Sequence, residues 1–208
     1  MVEDFRQIMR TRYQFCRQAR TKIQHIKALL VRFGFSTDTK GLPQTLIDEI
    51  LNLKLPANIK KSINYHIETY KFLKEKIKQL EEDASELIAS SNQKEEYEII
   101  KSIPGVGHIT ASFVVGEVGD WQRFKNERQI AAFFGLTPSE YSSGEYVHKG
   151  RITGQGNEVL RALIVEASWL LIAKDERMRN TFDRLFVNTK SKKKEPYERV
   201  RIRLFMIV

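Results

Sequence analysis

The fold is decided by residues 63–87, which read INYHIETYKFLKEKIKQLEEDASEL. Apolar side chains recur there in steps of three and four residues, the spacing of a heptad seam along one face of an α-helix. The seam consists of Ile63, Ile67, Tyr70, Leu73, Ile77, Leu80, Ala84 and Leu87. The pattern predicts a long helix that starts after Pro56 and runs from residue 59 to about residue 90.

A second long helix is predicted over residues 6–33, because apolar side chains again recur there at helical spacing. They are Ile8, Phe15, Ala19, Ile23, Ile26, Leu30 and Phe33. Gly34 is expected to end this helix, and a short amphipathic helix follows over residues 43–53. Together these segments predict an antiparallel helical hairpin, or coiled-coil arm, over residues 1–92.

The other face of the first helix is basic. It carries Arg6, Arg10, Arg12, Arg17, Arg20, Lys22, Lys27 and Arg32, with no acidic residue between them. Such a surface repels itself unless an anion lies against it. Two interpretations stay open at this point: a nucleic-acid contact surface, and the solvated face of a coiled coil.

The composition favours a polyanionic partner. The 208 residues carry a formal net charge of +9, which favours nucleic acid first and an acidic membrane surface second. The single Cys16 excludes an intramolecular disulfide and fits a reducing cytoplasm. No apolar run approaches the roughly 18 residues that a membrane-spanning helix needs, and the N-terminus lacks the apolar segment of a signal peptide. These observations predict a cytoplasmic protein with no membrane partner.

Residues 99–111, IIKSIPGVGHITA, predict a helix, a tight turn and a second helix. Pro104 fixes the entry to the turn, while Gly105 and Gly107 leave the backbone uncovered. The second helix would begin near His108 with its free N–H groups directed at an anion. This arrangement indicates a helix-hairpin-helix motif that binds DNA phosphates through Gly105, Gly107 and His108, independently of base sequence. The alternative is an ordinary turn between two helices.

Residues 135–144, GLTPSEYSSG, are interpreted as a loop that carries two hydroxyl groups beside a glycine. Ser142 and Ser143 are therefore candidate nucleophiles for a phosphodiester. Lys149 and Arg151 follow closely, and their charges would bind DNA phosphate and stabilise the transition state of its cleavage. The alternative is that the Ser-Ser-Gly segment is a simple turn.

Other kinds of site find little support in the sequence. The four histidines lack zinc-ligand spacing, so no metal site is predicted in this chain. The nucleotide-binding loop GxxxxGK[ST] and the hydrolase elbow GxSxG are both absent from the sequence. Asp120 follows the turn, as the catalytic acid of a base-excision glycosylase can, but no lesion pocket or catalytic lysine is recognisable.

Several motifs in the second half of the chain form a recognisable series. They are IPGVG at residues 103–107, GD at 119–120, AAFFGLTP at 131–138, YSSG at 141–144, GRI at 150–152 and GN at 156–157. The series resembles the C-terminal transposase domain of a bacterial insertion-sequence family. Its members combine an N-terminal RuvC-like DEDD domain, a coiled-coil arm and a C-terminal serine domain, and act as recombinases guided by a structured bridge RNA.

The resemblance implies a catalytic serine. In that family the serine before the glycine of the Tyr-x-Ser-Gly motif is the nucleophile, which places it at Ser143, with Ser142 as the second candidate. The implied reaction is attack on DNA to give a phosphoserine link, followed by strand exchange without ATP. No cofactor is expected in this chain itself, and Mg²⁺ is expected from the carboxylates of the DEDD domain.

The resemblance also implies an architecture and partners. The expected fold is mainly α: a coiled-coil arm at 1–92, a small all-α transposase domain with the helix-hairpin-helix motif at 93–190, and a basic tail at 191–208. The RuvC-like domain is missing, and the apolar end at residues 204–208 suggests a truncated chain. Expected partners are DNA, a structured guide RNA, and either further copies of the chain or a complementary RuvC-like half. The expected location is the bacterial cytoplasm, in association with the nucleoid.

Two rival functions remain. A non-catalytic DNA- or RNA-binding remnant, or a regulator of a full-length transposase, would bind nucleic acid in a salt-sensitive way without forming a covalent adduct. A structural coiled-coil protein with a basic surface would have no appreciable affinity for DNA at physiological salt. Without the RuvC-like domain, the isolated chain is expected to be inactive, either as a remnant or as half of a split enzyme.

Overall fold

The computed structural model describes residues 2–143, 146–152 and 155–188. The chain divides into two compact units, Glu3–Leu87 and the residues from Ile88 onward. The helices of the first part are α1 (Val2–Val31), α2 (Gln44–Asn52) and α3 (Ala57–Ala89). The second part contains α4 (Lys94–Ser102), α5 (His108–Val118), α6 (Glu127–Phe133), β1 (Pro138–Ser143), β2 (Tyr146–Ile152), α7 (Glu158–Lys174) and α8 (Glu176–Asn188). The predicted basic tail at 191–208 lies outside the described residues.

In the first unit, α1 and α3 pack antiparallel. Arg12, early in α1, binds Glu81, late in α3, through Nε at 2.8 Å and Nη2 at 2.7 Å. Ala19 shares a buried cluster with Leu73 and Ile77, and Ile26 and Leu30 share another with Ile63 and Ile67. Positions later in α1 therefore meet positions earlier in α3, and the predicted antiparallel hairpin is confirmed.

Most residues of the predicted seam on α3 are buried, and three of them are exceptions. Tyr70 and Leu80 are only partly buried, and Ile88 is buried beyond the partly exposed Leu87. On α1, Phe5 and Met9 are buried, whereas Phe33 is 37% exposed. The reason is that α1 spans Val2–Val31, so it starts and ends earlier than the predicted 6–33 and its first turns also join the core.

One end of the helical hairpin is closed by α2. Leu42, Leu46, Ile47 and Ile50 pack in the same cluster as Ile26, Leu30, Ile63 and Ile67. Gly34 ends the turn after α1 with a φ of +81°, a conformation that favours glycine. The Phe35 N–H bonds back to the Leu30 carbonyl at 3.1 Å, so this exit from the helix matches the predicted glycine stop.

In the second unit, α5 is the central helix. It is apolar on all sides, and its residues from Ala111 to Val118 are all buried, as expected for a helix surrounded by protein. It packs against α4 and α7, and α7 packs against α8. Leu160, Ile164 and Leu171 supply the buried side of α7.

The segment expected to be a loop is a β-hairpin. β1 and β2 pair antiparallel, with Tyr141 opposite His148 and Ser143 opposite Tyr146. Tyr141, Tyr146 and Val147 are residue types that favour strands. The loop was predicted because the Ser-Ser-Gly segment is typical of a turn. The mainly α fold class is confirmed, but the second domain is not purely α, because it carries this two-stranded sheet.

Candidate functional site

The turn between α4 and α5 has the form that the sequence predicted: a helix, a short connection over residues 103–107 and a second helix. The Val106 N–H bonds to the Ile103 carbonyl at 3.0 Å, which closes the turn. Gly107 is the N-cap of α5, and its carbonyl accepts the first helical bond from Ala111 at 3.0 Å. The first N–H groups of α5 therefore begin at the end of this turn.

The two glycines of this turn have different surroundings. A Cβ on Gly105, whose φ is +94°, would lie 2.8 Å from the Ala167 carbonyl oxygen and 2.9 Å from the Leu171 nitrogen of α7. Gly105 thus lets the turn pack closely on α7. A Cβ on Gly107 would meet no atom within 4 Å, so this glycine borders open space. Of the two, Gly107 has room for an approaching phosphate; a phosphate-binding role of either one stays a prediction.

His108 begins α5 and is fixed by a neighbour. Its Nδ1 lies 3.1 Å from the hydroxyl of Tyr97, a buried side chain of α4. The ammonium group of Lys101 lies 5.3 Å from the centre of the Tyr97 ring. An imidazole is therefore held at the N-terminus of α5, where the helix dipole also favours an anion, and an ammonium group lies beside the tyrosine ring that holds it.

The register of the β-hairpin locates the backbone of the remaining candidates. Ser142 lies opposite Val147, Ser143 lies opposite Tyr146, and Lys149 lies opposite Glu140. Since a strand advances about 3.4 Å per residue, the Lys149 backbone is roughly 10 Å from the Ser143 end, and that of Arg151 is farther away. The hairpin does not place either cation directly across from the serines. Residues 144 and 145, and the side chains of residues 138–152, lie outside the described part.

Gly135 and Gly156 hold the two ends of this hairpin together. A Cβ on Gly156, with a φ of +107°, would lie 2.7 Å from the Phe133 carbonyl oxygen and 2.8 Å from the Gly135 nitrogen. A Cβ on Gly135, with a φ of +68°, would collide with the Gln155 carbonyl and come within 2.5 Å of an Arg161 guanidinium nitrogen. We call these two residues the glycine clasp. Their spacing of 21 positions gave no sign of this contact in the sequence.

The chain leads from Gly156 directly into α7. Asn157 caps that helix, and its side-chain oxygen accepts hydrogen bonds from the N–H groups of Val159 at 3.0 Å and Leu160 at 3.1 Å. Because Asn157 directly follows Gly156, the clasp and the cap together anchor the hairpin to the buried helix α7.

On α1, the structure divides the basic residues into two groups. Arg12 is paired with Glu81, Arg6 is paired with Glu3, and the Lys27 ammonium donates to the Thr39 carbonyl. Arg17, Arg20 and Arg32 are exposed, and none of them has an acidic partner among the residues that the structure describes. Only part of the basic face predicted from sequence is therefore available to a ligand.

The metal expectation can be compared with the side chains present. In residues 2–143, 146–152 and 155–188, no group of three or more His, Cys, Asp or Glu side chains could hold a metal ion. A search of the same part of the chain found no helix long and apolar enough to cross a membrane.

Comparison with known proteins gives a consistent result. Residues 97–183 match the model of the transposase IS116/IS110/IS902 family. The transposase for insertion sequence element IS1111A of Coxiella burnetii is 29% identical over 177 residues, which cover 82% of this chain and 47% of that protein. The transposase for insertion sequence element IS1328 of Yersinia enterocolitica is 26% identical and covers 76% of this chain and 47% of its own length.

A shorter similarity involves a protein that is named for a different process. The pilin gene-inverting protein of Moraxella bovis is 30% identical over 67 residues, which cover 32% of this chain and 21% of that protein. The chain spans about half the length of the two insertion-sequence transposases it matches.

Proposed function

Since residues 97–183 are a transposase domain of the IS116/IS110/IS902 family, we propose that this chain is the DNA-binding and serine-bearing part of an insertion-sequence recombinase. The family match carries the proposal. The β-hairpin supports it, because the two candidate serines are consecutive residues at the end of β1, on a structure anchored to α7. The relative from Moraxella bovis, named for gene inversion, is in line with strand exchange as the underlying reaction.

The proposed chemistry is transesterification at Ser143, with Ser142 as the second candidate. The Ser143 hydroxyl loses its proton and its Oγ attacks a DNA phosphorus atom. The bond from phosphorus to a deoxyribose oxygen breaks, that oxygen leaves as a hydroxyl group, and a phosphoserine ester remains. A hydroxyl of another strand then attacks the ester and regenerates the serine. The phosphodiester energy is retained in the covalent link, so ATP is not required.

The remaining residues have a binding role in this proposal. Gly107 and the N-terminus of α5 contact the DNA backbone together with His108, and Gly105 keeps their turn packed on α7. Lys149 and Arg151 bind phosphates some distance along the strand from the reacting one, as the hairpin register requires. These contacts position DNA without reading its sequence.

The partners follow from the same proposal. DNA is the substrate, and a structured guide RNA selects the site. A RuvC-like half with its four carboxylates would supply Mg²⁺, and further copies of the chain would complete the assembly. Tyr65 and Phe72, exposed two turns apart on α3, are apolar side chains suited to contact a second copy. The expected location is the nucleoid.

The proposal is tested by trapping the covalent intermediate. The chain is combined with a RuvC-like half, guide RNA and a nicked DNA substrate, and the protein–DNA adduct is measured on a denaturing gel. Ser143→Ala is expected to abolish the adduct while DNA affinity stays within about twofold, because one hydroxyl adds little to phosphate binding.

Ser142→Ala is the matched control, since it removes the same group one residue away. An adduct lost only in Ser142→Ala would assign the nucleophile to that residue. Salt-sensitive DNA binding with no adduct in the unaltered protein would contradict the recombinase proposal and support the non-catalytic binding module instead.

A further inference from the structure

An arginine packs on two aromatic rings close to the base of the β-hairpin. The guanidinium carbon of Arg123 lies 4.7 Å from the centre of the Phe124 ring and 4.5 Å from the centre of the Phe133 ring. The two ring centres are 5.5 Å apart, and the ring planes are inclined at 56°. A cation at these distances is attracted to each ring, even at an exposed position. We call Arg123, Phe124 and Phe133 the arginine stack.

The backbone on both sides of Arg123 is held by local hydrogen bonds. The Asp120 carboxylate accepts from the Gln122 N–H at 2.8 Å, and the Asn126 side chain caps α6 by accepting from the Gln129 N–H at 3.1 Å. Arg123 is exposed, and it has no acidic partner in the part of the chain that the structure describes. An ion pair therefore does not explain why its side chain lies on the two rings.

The arginine stack is connected to the glycine clasp through Phe133. This residue ends α6, and its carbonyl oxygen would lie 2.7 Å from a Cβ on Gly156. The ring of the next residue, Phe134, lies 5.7 Å from the Phe133 ring and belongs to a side chain that is only 2% exposed. Gly135 of the clasp follows directly in the chain. The side chain that Arg123 holds thus belongs to the segment from which the hairpin begins.

The candidate serines are far from this segment, at the opposite end of β1. A strand advances about 3.4 Å per residue, so Ser143 is roughly 17 Å from Pro138. Over that length a rotation of about 5° at the base moves the far end by about 1.5 Å. A displacement of about 1 Å between reacting groups can slow a reaction by roughly a hundredfold. The rate of a reaction at the serines therefore depends on how firmly the base of the hairpin is held.

We propose that Arg123 is a positioning residue for the serine reaction. It acts through Phe133, whose ring it holds and whose backbone packs against Gly156, and it thereby fixes the position of the hairpin end that carries Ser143. Arg123 itself does not contact the reacting phosphate. The proposal rests on the recombinase function for the reaction that is served, whereas the link from Arg123 to the glycine clasp is defined by the contacts given above.

The first test does not depend on the reaction. Hydrogen exchange of the backbone amides of β1 and β2 is measured by mass spectrometry in the full chain. Arg123→Ala is expected to speed this exchange at least about threefold, because the base of the hairpin opens more often. Arg128→Ala, which removes an exposed arginine of α6, is the matched control and should leave the exchange nearly unchanged. Unchanged exchange in Arg123→Ala would overturn the proposal, whether or not the protein is a recombinase.

The second test measures the rate of adduct formation with the RuvC-like half, guide RNA and nicked DNA. Arg123→Ala and Phe133→Leu should each lower the rate at saturating DNA by about tenfold, with the DNA concentration for half-maximal rate within about twofold. The double variant should be no more than about threefold slower than either single one, since both changes remove the same contact. Phe133→Tyr keeps the ring and should retain the rate within about twofold.

Two results of the second test would overturn the positioning role. Losses that multiply to about a hundredfold in the double variant would mean that Arg123 does not act through Phe133. A raised DNA concentration for half-maximal rate, with an unaltered rate at saturation, would make Arg123 a phosphate contact instead. Thermal unfolding confirms that each variant is folded at the assay temperature. Faster exchange in Arg123→Ala together with no adduct in the unaltered protein would contradict the recombinase proposal, while Arg123 would still be the residue that holds the hairpin.

Discussion

Gly135 and Gly156 are required at the base of the serine hairpin for two separate reasons, backbone conformation and space. Both have a positive φ, and a Cβ at either one would overlap backbone atoms of the opposite segment. Gly34 also has a positive φ, but a Cβ there would meet no atom within 4 Å. A side chain at Gly34 should therefore cost only the unfavourable backbone conformation, whereas a side chain at Gly135 or Gly156 should also cause a steric clash.

We expect Gly34→Ala to lower the free energy of unfolding by only about 1 kcal/mol, the cost of a left-handed conformation for alanine. Gly135→Ala and Gly156→Ala should cost at least ~3 kcal/mol, because neighbouring backbone must also move. Thermal and urea unfolding measure the differences. Gly41→Ala, at a position without a positive φ and with no atom within 4 Å of the added Cβ, is the control and should be close to neutral. Equal costs for the three positive-φ glycines would contradict the close contact in the clasp.

His66 predicts a pH dependence of stability. Burial lowers the pKa of its imidazole, and the charges of Lys22 and His25 lower it further. The folded-state pKa lies below the unfolded value of about 6.5, so protonation favours the unfolded chain. This contribution to stability is complete above about pH 6.5 and is lost as the pH falls towards the folded-state pKa.

The unfolding midpoint in urea should therefore decrease between about pH 7.5 and about pH 5, and His66→Gln should reduce that decrease. The ring centre of His25 lies 5.2 Å from that of His66. His25→Gln removes one of the two neighbouring charges and should therefore reduce the decrease in the midpoint by a smaller amount than His66→Gln. A decrease that is unaffected by His66→Gln would assign the pH dependence to other groups.

At the scale of elements, the helices were predictable because their information is local. The three- and four-residue periodicity of α1 and α3, the stop at Gly34 and the cap at Asn157 all act within a few residues of the chain. The errors lie at the helix ends: Phe5 joins the core about one turn before the predicted apolar stripe, and Met9 is buried where the stripe had Ile8.

The serine hairpin was harder to predict because strand pairing is not local. Its turn signals were visible in the sequence, but the pairing of β1 with β2 and the contact between Gly135 and Gly156 depend on residues far apart in the chain. The same applies to the basic face of α1. The eight cations are indistinguishable in the sequence, whereas the ion pair between Arg12 and Glu81 makes one of them unavailable to a ligand.

The two compact units of the molecule separate the helical arm from the region that matches the transposase domain. The first unit has its own buried clusters, in which Ile26 and Leu30 pack with Ile63 and Ile67. The match to the transposase domain lies wholly in the second part of the chain, at residues 97–183. Strand cleavage is thus proposed for the second part of the chain, and the folding of the arm should be separable from it.

A fragment of residues 1–92 should fold alone as a helical hairpin, because the buried clusters around Ile26 and Ile63 and around Ala19 and Leu73 are internal to it. We expect helical circular dichroism with a cooperative thermal transition, of modest stability since a domain of this size has a small core. Ile26→Ala should lower that transition, as it would remove a fully buried side chain. An unfolded fragment would mean that the arm depends on the rest of the chain.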